Sequence, residues 1–124
     1  MIKPFVRVGA LVVFFVAFMV SQGIAAEGTP ITLKARVVDA ICMLTGGLKG
    51  ESHRECAIGC DKAGVRMYLL DEQTNVMYAA MADAPFKDPN SLLRPHLERI
   101  VTVKGSLFTG PGGLQVISVK EVSQ

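Results

Sequence analysis

Apolar and polar side chains alternate over a segment that follows the hydrophobic N-terminus. Every second residue from Ile31 to Val37 is apolar, and Thr32, Lys34 and Arg36 lie between them. A period of two combined with β-branched residues is typical of a strand that buries one face. This pattern predicts the first strand, over residues 31–41.

Four more short apolar segments predict four more strands. They cover residues 65–70, 76–82, 99–108 and 114–122. The polar residues 71–75 predict a hairpin turn between the first two of these strands. The glycine-rich residues 109–113 predict a second turn, between the last two.

Two segments between the strands are typical of helices. Residues 51–63 contain good helix formers and precede Gly64, a candidate C-cap. The glycine-rich residues 45–50 before them predict a turn. A loop over residues 83–90 leads into a short helical segment over residues 91–97.

The order of these elements predicts the fold class. The predicted order is strand, helix, strand, strand, short helix, strand and strand. This order suits a mainly β protein, a small five-stranded OB-like Greek-key barrel. Its unusual feature is a helix inserted after strand 1, in a segment that contains cysteine and histidine. The chain has 124 residues, a length that suits one domain. We expect that domain to cover residues 27–124.

The first 26 residues have the three parts of a secretory signal peptide. Lys3 and Arg7 are basic, residues 8–20 are apolar, and small residues follow up to a cleavage site after Ala25 or Ala26. The apolar run is shorter than the roughly 18 residues typical of a membrane span. We therefore expect a periplasmic or secreted protein, with an uncleaved membrane anchor as the alternative.

Removal of this leader changes the charge balance. The whole chain has 13 basic and 11 acidic residues; Lys3 and Arg7 are the only charged residues of the leader, so 11 of each sign remain. A neutral domain lacks the basic surface that nucleic-acid binding requires. We expect no nucleic-acid partner and no stable membrane span after cleavage, and we consider another envelope protein as a partner.

Four residues around the inserted helix form a candidate metal site. His53, Cys56 and Cys60 are spaced so that a helix projects all three from one face. Cys42, expected at the end of the first strand, would approach from the side. Three thiols and one imidazole are a complete ligand set for a tetrahedral soft metal, Zn²⁺ or Cu(I), or for an iron–sulfur cluster with one histidine ligand.

A disulfide is the main alternative for the cysteines, because exported proteins fold in oxidising compartments. Cys42 would pair with Cys56 or Cys60 and attach the helix to the barrel. Cys56 and Cys60 are themselves a poor pair, since side chains one helical turn apart point in the same direction. Such a stapled barrel would serve as an interaction module without metal.

A thiol redox protein is the third interpretation. Cys56 or Cys60, close to a helix start and to His53, would then have a lowered pKa. The chain has no Cys-x-x-Cys motif and no evident acid–base set for catalysis. We therefore expect a binding or accessory module rather than an enzyme, and we assign no catalytic residue.

A few other residues are weaker candidates. Asp39 either caps a turn at the strand end, the interpretation we favour, or orients His53 without itself binding the metal. Among the methionines, only Met43 is kept as an accessory ligand, because the strand patterns predict core packing for the others. His96 is expected to be a solvated side chain.

The Cys/His segment also resembles a group of small exported bacterial proteins. Their pattern is V-x-D-x-x-C followed by H-x-x-C-A-x-x-C, which corresponds here to Val37, Asp39 and Cys42 and then to His53–Cys60. The similarity extends from about Val37 to Leu70 and more loosely to the C-terminus. It implies a shared barrel-like fold and a shared Cys/His segment, and no particular activity.

Overall fold

The computed structural model describes residues 27–124, so the signal-peptide prediction lies outside the described residues. The strands are β1 (Thr29–Asp39), β2 (Met67–Asp71), β3 (Val76–Met81), β4 (Ile100–Thr109) and β5 (Gln115–Ser123). The α-helices are α1 (Ala40–Gly46) and α2 (Arg54–Lys62), and single 3₁₀ turns cover Glu51–His53, Arg94–His96 and Pro111–Gly113. No helix among residues 27–124 is long and apolar enough to cross a membrane.

The five strands close into a barrel in the order β1-β2-β3-β5-β4. Strand β1 is antiparallel to both β2 and β4, whereas β3 and β5 are parallel. This topology confirms the predicted mainly β, five-stranded barrel, with a helical insertion after strand 1 and a short helical turn between strands 3 and 4.

Strand β1 is long because it pairs with two neighbours in succession. Its register with β4 runs from Thr29 opposite Leu107 to Arg36 opposite Ile100, and its last residues pair with β2. Asp39, the final residue of β1, is opposite Met67. The pairing therefore fixes where the chain leaves the barrel and enters the Cys/His segment.

Apolar side chains from all five strands fill the barrel. The core consists of Leu33, Ala35, Val37, Ala57, Met67, Leu69, Ala80, Leu93, Leu97, Val101, Val103, Ile117 and Val119. Ala57 belongs to α2, and its neighbour Ile58 packs partly against the same core. Helix α2 is thus attached to the barrel through a small apolar contact, and its cysteines remain on other faces.

The first predicted strand is too long at its C-terminal end, and the position predicted for Cys42 is wrong. Cys42 lies in the first turn of α1, not at the end of a strand. The Asp39 side chain accepts a hydrogen bond from the Cys42 N–H at 2.8 Å and so caps the helix. Gly47, with φ of +64°, ends it in the left-handed conformation that suits glycine.

The C-terminal end of α2 is held by an ion pair between the buried Asp61 and the half-exposed Arg94. Asp61 is only 8% exposed and accepts hydrogen bonds from Arg94 and from Asn90 Nδ2. Arg94 also binds Asp88. Asp61 is therefore not a solvated residue of the helix surface, because the loop before β4 folds over it.

Candidate metal centre

The three cysteine sulfur atoms of the chain lie together. The Sγ atoms of Cys42, Cys56 and Cys60 are all within 4.8 Å of one another, and all three residues are free cysteines. The Cys42 and Cys56 sulfurs are 3.9 Å apart. Two sulfurs bound to one tetrahedral ion at about 2.3 Å each are separated by about 3.8 Å. The spacing of this three-thiol group therefore suits a shared metal ion.

Two short helices bring these sulfurs together. Asp39 starts α1 directly at the end of β1, which places Cys42 beside the barrel rim. Cys56 and Cys60 are one helical turn apart in α2 and share a face. Cys56 is exposed, whereas Cys42 and Cys60 are half-buried. The three-thiol group is thus open to solvent on its Cys56 side.

His53 lies next to this group, on the side of Cys42. It ends the 3₁₀ turn Glu51–His53 and is 9% exposed. Its Nε2 is 2.8 Å from Asp39 Oδ2. Asp39, Cys42 and His53 form a second group, with ligand atoms within 4.8 Å of one another. In the described part of the chain, the four predicted ligands therefore occupy two overlapping groups that share Cys42.

Asp39 performs both of the roles considered for it. One carboxylate oxygen caps α1, and the other contacts the imidazole of His53. Although burial acts to raise the pKa of Asp39, hydrogen bonds from the Cys42 N–H and from His53 outweigh it and hold the pKa below its ordinary value. An ionised carboxylate only accepts hydrogen bonds, so Nε2 of His53 carries the proton. In the neutral form of the ring, Nδ1 of His53 is then the atom with a free lone pair.

Two of the thiols hold their protons more tightly than an ordinary cysteine. Burial, the neighbouring Cys56 and the charge of Asp39 raise the pKa of Cys42 to about 12. Burial and the charge of Asp39 also raise the pKa of Cys60. Both residues are therefore protonated at neutral pH in the metal-free protein, and a metal ion that binds them displaces these protons.

Glu98 is a buried residue near the site that the sequence did not reveal. It is 1% exposed, and its Oε2 accepts a hydrogen bond from the Gly50 N–H at 2.7 Å. The carbonyl of Gly50 in turn accepts from the His53 N–H at 3.0 Å. Glu98 thus holds the turn that carries His53. Within residues 27–124, its Oε1 is the only fully buried side-chain oxygen or nitrogen without a hydrogen-bond partner.

Burial also dominates the charge state of Glu98. Removal from solvent raises the pKa of its carboxyl group, and the hydrogen bond from Gly50 opposes this only in part. No pattern in the sequence could have found this residue. Glu98 is a single position between the short helical segment and β4. Its hydrogen-bond partner, Gly50, lies 48 residues earlier in the chain.

The remaining candidates lie apart from the three-thiol group or contribute to packing. Met67 is fully buried in the core, as predicted, whereas Met77 and Met81 in β3 are half-buried. Met43 is half-buried in α1, next to Cys42 in the sequence. His96 is also half-buried, with its Nδ1 3.4 Å from Gln124 Nε2, and is outside both ligand groups.

Comparison with known proteins identifies no related protein. No protein-family model, curated protein or solved structure matches the chain. The resemblance to small exported bacterial proteins therefore stays a prediction. The closed barrel and the nearby Cys, Asp and His residues are observed independently of it.

Proposed function

We propose that this protein binds one soft metal ion through the thiolates of Cys42, Cys56 and Cys60, with His53 as the fourth ligand. The observation that carries the proposal is the convergence of three sulfurs from two helices at the spacing of a shared ion. Structural packing alone does not require this convergence, because Cys56 is exposed and contributes nothing to the core.

The hydrogen bond between Asp39 and His53 supports the fourth ligand. Histidines that bind metals usually donate their other ring N–H to a carboxylate, which fixes the tautomer and the ring orientation. His53 makes this contact through Nε2, and Nδ1 is then the atom that binds the ion. His53 is grouped with Cys42 and not with the other two sulfurs, so the proposal requires the ring to move toward them when the ion binds.

The donor set favours Zn²⁺ or Cu(I). Three thiolates and one imidazole are an established combination for tetrahedral zinc. Thiolates also suit Cu(I), which accepts the three sulfurs without the imidazole. An iron–sulfur cluster with one histidine ligand is the remaining candidate, and its visible absorption distinguishes it from the two colourless ions.

The proposed role is that of an exported binding or accessory protein in the periplasm or outside the cell. The signal-like leader supports export, and the neutral remainder of the chain argues against a nucleic-acid partner. The open Cys56 side of the site suits exchange of the ion with another envelope protein.

Elemental analysis combined with a free-thiol count tests the proposal. The protein is purified from the periplasmic fraction of cells that express the full chain, and metal content is measured per chain. We expect one ion per chain, loss of that ion in Cys56→Ser, and much weaker binding in His53→Ala. His96→Ala is the matched control and retains the ion. Metal-free protein with one free thiol instead supports the disulfide-stapled interaction module.

A further inference from the structure

We propose that a small-molecule disulfide oxidises Cys42 and Cys56 to an intramolecular disulfide, and that this step releases the metal ion. The inference rests on the proposed function, since it describes how the same site is emptied. Its basis is the unequal geometry and exposure of the three thiols.

The distances and the helical geometry select this pair. The sulfurs of Cys42 and Cys56 are 3.9 Å apart and belong to different helices, so their side chains face each other. Cys56 and Cys60 are one turn apart in α2 and point in the same direction, which disfavours a bond between them. A disulfide needs a sulfur–sulfur distance of about 2.05 Å. Helix α1 has no buried residue, so it can move to close the gap.

Exposure selects the sulfur that reacts first. Cys56 is exposed, whereas Cys42 and Cys60 are half-buried. Thiol–disulfide exchange requires direct contact between the attacking sulfur and the disulfide, so access decides the point of entry. Cys56 is therefore the residue that meets the oxidant, and Cys42 is the neighbour that completes the reaction.

The exchange is balanced in two steps. The Cys56 sulfur attacks one sulfur of the oxidant, a mixed disulfide forms, and the other half of the oxidant leaves as a thiol. The Cys42 sulfur then attacks the Cys56 sulfur, the new disulfide forms, and the second half leaves as a thiol. In the metal-loaded protein both cysteines are thiolates without protons. They lose two electrons to the oxidant, and its two leaving groups become thiols by taking two protons from solvent.

The consequence for the metal follows from the ligand count. The bond between Cys42 and Cys56 removes two of the three thiolates from the site. Cys60 and the imidazole of His53 remain, and two ligands hold a soft ion much more weakly than four. Oxidation thus converts the site from a metal-binding form to a metal-free form, and reduction reverses the change.

Zinc release and peptide mapping test the inference on the same sample. The purified protein is reduced, loaded with Zn²⁺ and treated with oxidised glutathione, and free zinc is followed with a coloured chelator. Trypsin cleaves after Arg36, Lys49, Arg54 and Lys62, so Cys42 lies on one peptide and Cys56 and Cys60 share another. Fragmentation of the cross-linked peptides identifies the bonded sulfur. We expect a Cys42–Cys56 link, one zinc released per link, and recovery after reduction.

Serine variants provide the controls. Cys60→Ser retains the reacting pair but lacks one proposed ligand, so it is compared with the unchanged protein in the metal-free reduced state, where the Cys42–Cys56 link should still form. Cys56→Ser removes the exposed thiol and cannot form this link. We expect any Cys42–Cys60 link in this variant to form at least about tenfold more slowly, because access to a half-buried sulfur limits exchange. A Cys42–Cys60 link in the unchanged protein, a reaction that stops at a mixed disulfide, or a link that leaves zinc bound overturns the inference.

The same experiment separates the two proposals. A reduced protein that binds neither Zn²⁺ nor Cu(I) contradicts the proposed function, and with it the release step, although the mapping still identifies the link. A reduced protein that binds zinc but forms no Cys42–Cys56 link contradicts the inference alone.

Discussion

The imidazole Nε2 of His53 lies 2.8 Å from Oδ2 of Asp39, the last residue of the first strand. The other oxygen of the same carboxylate caps helix α1 through the Cys42 N–H. One side chain therefore sets both the position of a candidate sulfur ligand and the tautomer of a candidate nitrogen ligand. This double contact connects the end of a barrel strand to the chemistry of the site.

Asp39→Asn separates these two roles. The asparagine oxygen still caps α1, but its NH₂ group faces His53 and favours the tautomer in which Nδ1 carries the proton. We expect metal affinity to fall by about 10–100-fold, with a change in the free energy of unfolding below about 1 kcal/mol. Competition with a chromophoric chelator and urea denaturation followed by circular dichroism measure the two quantities.

Asp71→Asn is the matched control for this substitution. Asp71 also accepts backbone hydrogen bonds, from Gln73 and Thr74, but it is the last residue of β2, just before the turn into β3. The metal affinity of the Asp71→Asn variant should equal that of the unchanged protein. Equal affinities of the Asp39 variant and the unchanged protein would show that His53 does not bind the ion.

Metal affinity should increase steeply with pH. The pKa values of Cys42, about 12, and of Cys60 both lie above that of an ordinary thiol, so both residues are protonated at neutral pH without metal. A bound ion displaces at least these two protons, and each one contributes about a tenfold increase in affinity per pH unit. We expect an increase of about 100-fold or more between pH 6 and pH 7. An affinity that does not vary over this range would exclude thiolate ligands.

Arg94→Met should destabilise the fold by about 2 kcal/mol at pH 7, because it leaves the buried Asp61 carboxylate without its cation. Arg94 and Asn90 hold the pKa of Asp61 below its ordinary value. This contribution is present above the ordinary carboxyl pKa near 4 and disappears as the pH falls through the lower pKa of the folded state. The difference between the two proteins should therefore shrink below pH 4 in urea denaturation.

Lys87→Met is the control for the ion pair. Lys87 pairs with Asp83 on the surface, with both side chains about half exposed. Such pairs contribute between about 0 and 1 kcal/mol, so this variant should retain nearly full stability. Comparable losses in both variants would mean that burial of Asp61 is not the cause.

Glu98→Gln tests the buried carboxyl behind the His53 turn. Burial raises the pKa of Glu98 in the folded protein. Its ionised form is therefore disfavoured, and stability due to this residue falls as the pH rises from the unfolded pKa through the folded one. Glutamine retains an oxygen for the Gly50 N–H and does not ionise. The stability of the variant relative to the unchanged protein should improve from pH 4 to pH 8, and a constant difference would argue against a buried charge.

The sequence predicted the barrel because its strands alternate clearly. Residues 31–37 keep a period of two, and the segments that became β2 to β5 are short and apolar between polar or glycine-rich turns. Their pairing into a closed barrel followed from the order of the elements. These features are local, so a single chain is sufficient to recognise them.

Helix α1 was missed although it has local signals. Asp39 is a typical N-cap residue, and Gly47 stands where a helix would end. The regular alternation before Asp39 suggested that the strand continued, and the first turn of α1 contains no charged residue. Cys42 was therefore assigned to a strand, although the expectation that it meets Cys56 and Cys60 agrees with the structure.

The environment of His53 could be predicted only in part. The helical spacing placed its side chain with Cys56 and Cys60, but the 3₁₀ turn directs the ring toward Asp39 and Cys42. This orientation depends on the hydrogen bond between Gly50, which lies just before His53 in the sequence, and Glu98, which lies in a distant part of the chain. Contacts of this kind arise from the closed barrel and leave no periodic signal.

X-ray absorption at the metal edge of the zinc-loaded protein tests the central claim most directly. The account predicts three sulfur neighbours at about 2.3 Å and one nitrogen neighbour at about 2.0 Å. The spectrum of Cys60→Ser should show one sulfur neighbour fewer, which would assign the sulfur neighbours of the metal to the three-thiol group. A shell of oxygen and nitrogen atoms, or one that contains a single sulfur, would contradict the account.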